Sequence, residues 1–177
     1  MSSPTYRRLD PAERVGGALA GLHADAHATG MALGLLAPLD LDELERAYDE
    51  LVAREGRIVV VAERDGEVVG MAHLEPSGAE NATHRGEVQR VAVAADARGA
   101  GVGRGLMEAL EREARAARLT LLWLTTHADS PACAFYESLG YAELGVMPDY
   151  SRRPNGTLWP GAFYYRELDG AAPPDAE

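Results

Sequence analysis

Apolar and polar positions along this chain alternate between two periods, and the switches mark its elements. "TYRRLD" at residues 5–10 reads as a short strand. Asp10 and Pro11 then supply a helix N-cap and a first-turn proline, predicting a helix over about residues 11–28 that Gly30, Gly34 and Pro38 break. In "DLDELERAYDELVAREG", Leu41, Leu44, Tyr48, Leu51 and Val52 recur on one helix face, Asp40 and Glu43 suit the first turn, and Gly56 suits the stop. "RIVVVAERDGEVVGMAHLE" is two β-rich runs joined by Asp65-Gly66, a dipeptide that tolerates the positive φ of a tight hairpin.

Glu87 to Val93 alternates like another strand, and Leu106, Met107, Leu110 and Ala114 define the inward face of a helix from about Gly101 to Ala117. "LTLLWLTT" predicts a buried strand, and Pro131 to Leu139 a short helix stopped by Gly140. Strand-like "YAELGVM", a long loop and "AFYYREL" follow. The order β-α-α-β-β-β-α-β-α-β-β predicts an α/β domain, a mixed sheet of about seven strands flanked by about four helices. "DGAAPPDAE" at the end has nothing to pack, which predicts a loose tail over residues 170–177.

A length of 177 residues is most simply one domain. The net charge of −11 disfavours a phosphate backbone as partner, so no nucleic acid is expected. All 17 basic residues are arginine, which excludes the lysine of a P-loop and any lysine Schiff base. Cys133 is the single cysteine; it cannot form an internal disulfide and reads as packing. The start, "MSSPTYRRLD", lacks an apolar signal region and no run is long enough to span a membrane, so a soluble, cytoplasmic protein is the expectation. His23 and His27 share a helix face, but Ala24 stands where HExxH has glutamate and no third ligand is apparent, so no metal is expected.

Between the strand ending at Val93 and the following helix stand four glycines at alternate positions, Gly99, Gly101, Gly103 and Gly105. A helix N-terminus offers unpaired N–H groups and partial positive charge, and glycines clear the approach for phosphate. The dinucleotide pattern GxGxxG needs a third glycine where Arg104 or Leu106 stands. What fits is Arg98-x-x-Gly101-x-Gly103, together with "SPACAFYESLGY" at Ser130 to Tyr141, in which Ala132, Tyr136, Gly140 and Tyr141 match a second motif. On these two motifs the chain resembles the GCN5-related N-acetyltransferase superfamily over about residues 5–168.

The resemblance implies acetyl-CoA as cosubstrate. The main chain of Val91, Ala92 and Val93 would pair with its pantetheine arm, and the amides of Gly99, Ala100, Gly101, Val102, Gly103 and Arg104 would hold its pyrophosphate. A Cβ at Gly101 or Gly103 would then stand in the diphosphate's way. Arg98 and Arg104 are either solvated surface charges or electrostatic support. Asp129 stands where many members have Asn, beside Ala132; it belongs to the cofactor contacts or caps the following helix. Glu87, eleven residues before Arg98, matches the family's catalytic glutamate and would act as general base. Tyr136 matches the tyrosine that protonates or hydrogen-bonds the departing sulfur, and an amide near Val91 or Ala92 would meet the oxyanion. Transfer would be direct, without Cys133.

Residues 30–39, 81–93 and 145–168 look like a bacterial branch that includes tabtoxin-resistance acetyltransferases, in which an Asp commonly occupies the place of Thr125. Acceptor contacts are expected from residues 30–38 and 147–161, where Tyr150 and Trp159 either line the cleft or cover the core, and His84 and Arg85 either touch the acceptor or satisfy a loop. The expected function is direct acetyl transfer to the amine of a small molecule. A protein N-terminus or lysine is the alternative acceptor, and a non-catalytic acyl-CoA-binding module the alternative class. Homodimer pairing through the C-terminal strands would suit the family.

Overall fold

The computed structural model describes residues 2–31, 33–36, 38–153 and 156–169. The expected loose tail over residues 170–177 lies outside them. The strands are β1 (Thr5–Arg8), β2 (Ile58–Arg64), β3 (Glu67–Pro76), β4 (Arg85–Val93), β5 (Leu121–His127), β6 (Ala142–Arg152) and β7 (Leu158–Glu167). The helices are α1 (Gly16–Ala28), α2 (Leu41–Ala53), α3 (Val102–Ala116) and α4 (Pro131–Ser138). The seven strands form one mixed sheet in the order β1-β2-β3-β4-β5-β7-β6. Only β4 and β5 run parallel, joined by the crossover through α3; every other neighbouring pair is antiparallel.

The unbroken apolar run of β2 follows from burial on both faces. Ile58, Val60 and Ala62 join Leu106, Met107, Leu110 and Tyr164 in a core beneath α3 and α4. Val59 and Val61 point the other way and pack with Leu19, Leu22, Leu44 and Tyr48 of α1 and α2. Asp65 and Gly66 both take positive φ, 54° and 85°, as the tight hairpin between β2 and β3 requires.

Four sequence expectations need correction. The first helix begins at Gly16, not near residue 11. Asp10 is spent on a separate turn, its carboxylate accepting from Ala12 N (2.8 Å) and its carbonyl from Glu13 N (2.9 Å). The α1 N-terminus is instead capped by α2: Asp49 Oδ1 accepts from Gly16 N at 2.9 Å, and a Cβ on Gly16 would run into the Glu45 carbonyl. Leu41, placed on the inward face by periodicity, is 54% exposed because it lies at the first turn, beyond the edge of α1. β5 buries only alternate residues, its other face being half-buried. The long loop before the last strand shrinks, because β6 and β7 extend to Arg152 and Leu158 across it.

Glycine spacing follows packing. Gly105, on α3, sits over β1, and a Cβ there would collide with the Tyr6 ring. Gly21, on the exposed side of α1, has open space where its Cβ would go. Opposite outcomes are expected in urea denaturation. Gly105→Ala lowers stability by about 1–3 kcal/mol through overpacking, and Gly21→Ala raises it by about 0.5–1 kcal/mol through helix propensity and a smaller unfolded-state entropy.

Candidate active site

The sheet opens at its only parallel pair. β4 and β5 are paired at Arg85↔Leu121, Gly86↔Leu122 and Glu87↔Trp123, and no further. Beyond that rung, β4 continues against β3 alone and β5 against β7 alone. The divergence coincides with an irregularity in β4. The register slips between Met71↔Ala92 and His73↔Gln89, and Arg90 takes a left-handed φ of 50°. One extra residue in β4 bends the strand away from its parallel neighbour. Two strand edges therefore face a wedge-shaped cleft, with Val91, Ala92 and Val93 on one side.

The N-terminus of α3 stands at the mouth of this cleft. Gly99 (φ 73°) and Gly101 (φ 81°, ψ 0°) turn the chain through left-handed conformations into the helix. Gly101 O accepts the first helical bond, from Gly105 N at 3.1 Å, and no side chain caps the helix. The amides ahead of Gly105, on Val102, Gly103 and Arg104, are the orphan donors of this helix end. The four glycines thus do different work. A Cβ on Gly101 would meet no protein atom, and its φ of 81° favours glycine; one on Gly103 would press on Phe135 at 3.2 Å. Gly105 belongs to the Tyr6 contact already described.

Both flanking arginines are exposed, and each donates to the main chain. Arg98 Nε donates to Val93 O (3.0 Å), closing the turn after β4. Arg104 Nη2 reaches Ser138 O and Oγ, both at 3.2 Å, strapping α3 to the end of α4. Asp129 does not cap α4: it is exposed at φ 61°, and the N-cap position is Ser130, whose side chain makes no capping bond. Ala132 and Cys133 pack against the α4-side core, and Cys133 Sγ donates to His127 O at 3.4 Å.

Tyr136 projects from α4 into an aromatic cluster. Its ring lies 5.2 Å from Phe135, 5.9 Å from Tyr141 and 6.3 Å from Tyr164, and the residue is 8% exposed. Burial pushes its phenol well above the ordinary range, with Cys133 adding to the shift. It therefore stays protonated at any physiological pH. Phe135, one residue earlier, is the wall against which Val93 and Gly103 converge.

Glu87 occupies the last paired rung, half-buried, opposite Glu75 on one side and Trp123 on the other. The like-charged pair is relieved by Arg57, whose Nε sits 2.6 Å from Glu75 Oε2. A cavity of about 240 Å³ borders Glu75, Pro76, Arg85, Glu87 and Trp123. His73 lies beneath, 2% exposed, its Nδ1 accepting from Arg90 Nη1 at 3.3 Å. Burial, then the cations Arg90 and Arg57, hold its pKa at about 3, so it is neutral. Farther along β5, Thr125 Oγ1 lies 3.3 Å from Tyr150 Oη, a contact between two neutral hydroxyls. Trp159 stacks on His127 (4.2 Å between centroids) beneath the Arg153 guanidinium (3.6 Å). Tyr150, 43% exposed, packs on Phe163, and Trp159 is half-buried. His84 instead uses its carbonyl to receive Thr120 N at 2.7 Å and Leu121 N at 3.2 Å, joining β4 to β5.

Sequence reading missed the bend at Arg90 and the polar group around His73. A signal for the bend was present: Val88, Val91 and Val93 share one face although the first interval is three residues, not two. Nothing comparable marks His73, whose neighbours Arg57, Glu75 and Arg90 come from the turn before β2, from β3 and from β4. His23, paired with Tyr48 Oη at 2.8 Å, is a buried residue of the α1–α2 contact. No cluster of three or more metal-ligating side chains occurs among the described residues, and none of their helices is long and apolar enough to cross a membrane.

Comparison with known proteins places the whole chain in a family. Residues 29–141 match the family model for the Acetyltransferase (GNAT) family, and the chain belongs to that family. It is 38% identical over 96 residues to an IAA acetyltransferase of Azospirillum brasilense, a match spanning 54% of this chain and 61% of that protein. A ribosomal-protein-alanine N-acetyltransferase from Brucella melitensis superposes with a TM-score of 0.79 at 31% identity, covering 93% of this chain and 99% of the other. The structure of yncA from Salmonella typhimurium with its cofactor acetyl-CoA superposes with a TM-score of 0.76 at 26% identity, covering 99% of both chains.

His73 has a direct thermodynamic signature. Its folded pKa of about 3 lies below the unfolded value, so the unfolded chain binds the proton first as pH falls. This group's contribution is intact above about pH 6.5 and declines by about 1.4 kcal/mol per pH unit below it, toward pH 3. Urea titrations between pH 7 and 4.5 should show a shallower acid loss in His73→Gln than in the unaltered protein.

Proposed function

We propose that this chain is an acetyl-CoA-dependent N-acetyltransferase that transfers the acetyl group directly to the amine of a small molecule. The observation that carries the reading is the parting of β4 from β5 beside an uncapped helix N-terminus. Open strand edges suit the amide groups of a pantetheine arm, and the amides from Gly99 to Arg104 suit its diphosphate. Arg98 and Arg104 serve by fixing the walls of that cleft. Asp129, just before α4, and Ala132, in its first turn, are further candidate cofactor contacts in this reading.

In this reading Glu87 receives the proton of the attacking amine, directly or through one water. The amine nitrogen bonds to the acetyl carbon and an amide at the bend of β4, near Val91 or Ala92, meets the developing oxyanion. The carbon–sulfur bond then breaks, with the Tyr136 hydroxyl donating to the sulfur. Because burial raises the phenol, a strong hydrogen bond to the thiolate is favoured over complete proton loss. Thr125 supplies no second acid or base. The stretches resembling the tabtoxin-resistance branch support a small acceptor. The likeness to the Brucella enzyme favours a second reading, a protein N-terminus as acceptor.

Thiol release over a panel of small amines and N-terminal peptides tests this. Glu87→Gln is expected to lower kcat about 100-fold or more and Tyr136→Phe about tenfold to 100-fold, both with unchanged acetyl-CoA affinity. The rate should show no alkaline decline from Tyr136 below pH 11. Tight acetyl-CoA binding without turnover on any amine would instead make the chain a binding module.

A homodimer is part of the same reading. β6 pairs only with β7 and leaves Leu144 (73%) and Val146 (53%) exposed on the sheet edge. Long apolar edges seek a partner strand. Sedimentation should show a dimer that Val146→Glu converts to monomer.

A further inference from the structure

Seven arginines are partly buried: Arg7, Arg57, Arg64, Arg90, Arg115, Arg153 and Arg166. Five of them lie against carboxylates, Arg7 with Glu13 and Glu63, Arg57 with Glu75, Arg64 with Asp96, and Arg115 and Arg166 with Glu111. Arg153 lies over the Trp159 ring. Arg90 alone has neither carboxylate nor ring among the described residues. Its Nη1 donates to two neutral acceptors, His73 Nδ1 (3.3 Å) and Gln89 Oε1 (3.2 Å), and its remaining N–H groups meet no acceptor there. In a chain with 28 acidic residues against 17 basic ones, a half-buried cation left without an anion is conspicuous. Partial burial weakens solvation of the guanidinium, so an anion that reached it would be held by charge-assisted, bidentate bonds.

Its position gives the unpaired charge a use. Arg90 is the left-handed residue at the bend of β4. Its guanidinium lies against His73, which belongs to the same β3–β4 face as Glu75 and Glu87. Glu87 is three residues away, about 10 Å along the strand, within the combined reach of two long side chains. His73 is neutral and Glu75 is already matched to Arg57, and among the described residues no carboxylate lies within ion-pair distance of Arg90.

We propose that Arg90 is an anion subsite of the acceptor pocket: the amine acetylated by this protein carries a carboxylate, which Arg90 binds while Glu87 faces the ammonium group. The inference rests on the acetyltransferase reading and adds the chemical class of the acceptor. A zwitterion bridges a carboxylate and a guanidinium on one strand, whereas a simple alkylamine leaves the cation uncompensated.

Matched pairs test it: L-amino acids against their L-amino-acid amides, assayed for thiol release with each enzyme. The unaltered protein should favour acids over amides by about tenfold to 100-fold in kcat/KM, the scale of a charge-assisted hydrogen-bonded pair. Arg90→Gln should bring that ratio near one, mostly through acceptor KM, with acetyl-CoA affinity unchanged. Arg90→Lys should retain part of the preference. Arg90→Asn, which suits positive φ, should lose it as Gln does, separating the charge from the shape of the bend. Comparing ratios between enzymes cancels the different amine pKa values of acids and amides. An identical ratio in Arg90→Gln, or an equal fall for acids and amides, overturns the proposal. Should no amine be turned over, the acetyltransferase reading fails, and calorimetry with N-acetyl-L-amino acids and their amides still decides the subsite. An Arg90-dependent preference for the acid upholds it, and its absence overturns it.

Discussion

A parallel strand pair that starts and then stops organises this molecule. Three paired rungs from Arg85↔Leu121 to Glu87↔Trp123 hold the two halves of the sheet together, and one extra residue at Arg90 turns β4 aside. A regular sheet would satisfy every backbone group between β4 and β5 and leave no entry. The bend gives up that pairing and opens the edges to a ligand. It also carries Val93 toward Gly103 and Phe135, so that the end of β4, the start of α3 and the wall of α4 meet at one place.

The supports of this opening are polar and local. Arg98 closes the turn after β4, Arg104 ties α3 to the end of α4, and Arg166 reaches both Glu111 of α3 and the carbonyl of Leu139. Burial raises the pKa of Glu111 against the pull of Arg166 and Arg115, as expected where desolvation competes with pairing. On the opposite face, His73 stays neutral among Arg57, Glu75 and Arg90. One side of the sheet thus carries a shielded aromatic cluster around Tyr136, and the other a charged group in which Glu87 stands opposite Glu75.

Local pattern carried much of the fold. The 3.6-residue period of α2 and α3, the Asp65-Gly66 turn and the alternation of β4 are nearest-neighbour properties, written in side-chain size and backbone freedom. The order of seven strands and four helices followed from them. Local rules failed where a distant partner intervened. Asp10 was a plausible N-cap, but Asp49 from another helix caps α1. Gly101 and Gly103 looked alike, yet one takes a positive φ and the other leaves room for the Phe135 ring of α4.

By itself, then, the sequence determined the elements, their order and the presence of a glycine turn before α3, because each depends on residues within a few positions of one another. Through its resemblance to the family it also offered Glu87 and Tyr136 as candidates. Only the tertiary structure decided which groups share a neighbourhood: that Glu87 faces Glu75 and Trp123, that Tyr136 is shielded by three aromatic rings, and that Arg90 meets the neutral acceptors His73 and Gln89. Desolvation and charge pairing depend on distance through space, and strand order brings together residues far apart along the chain.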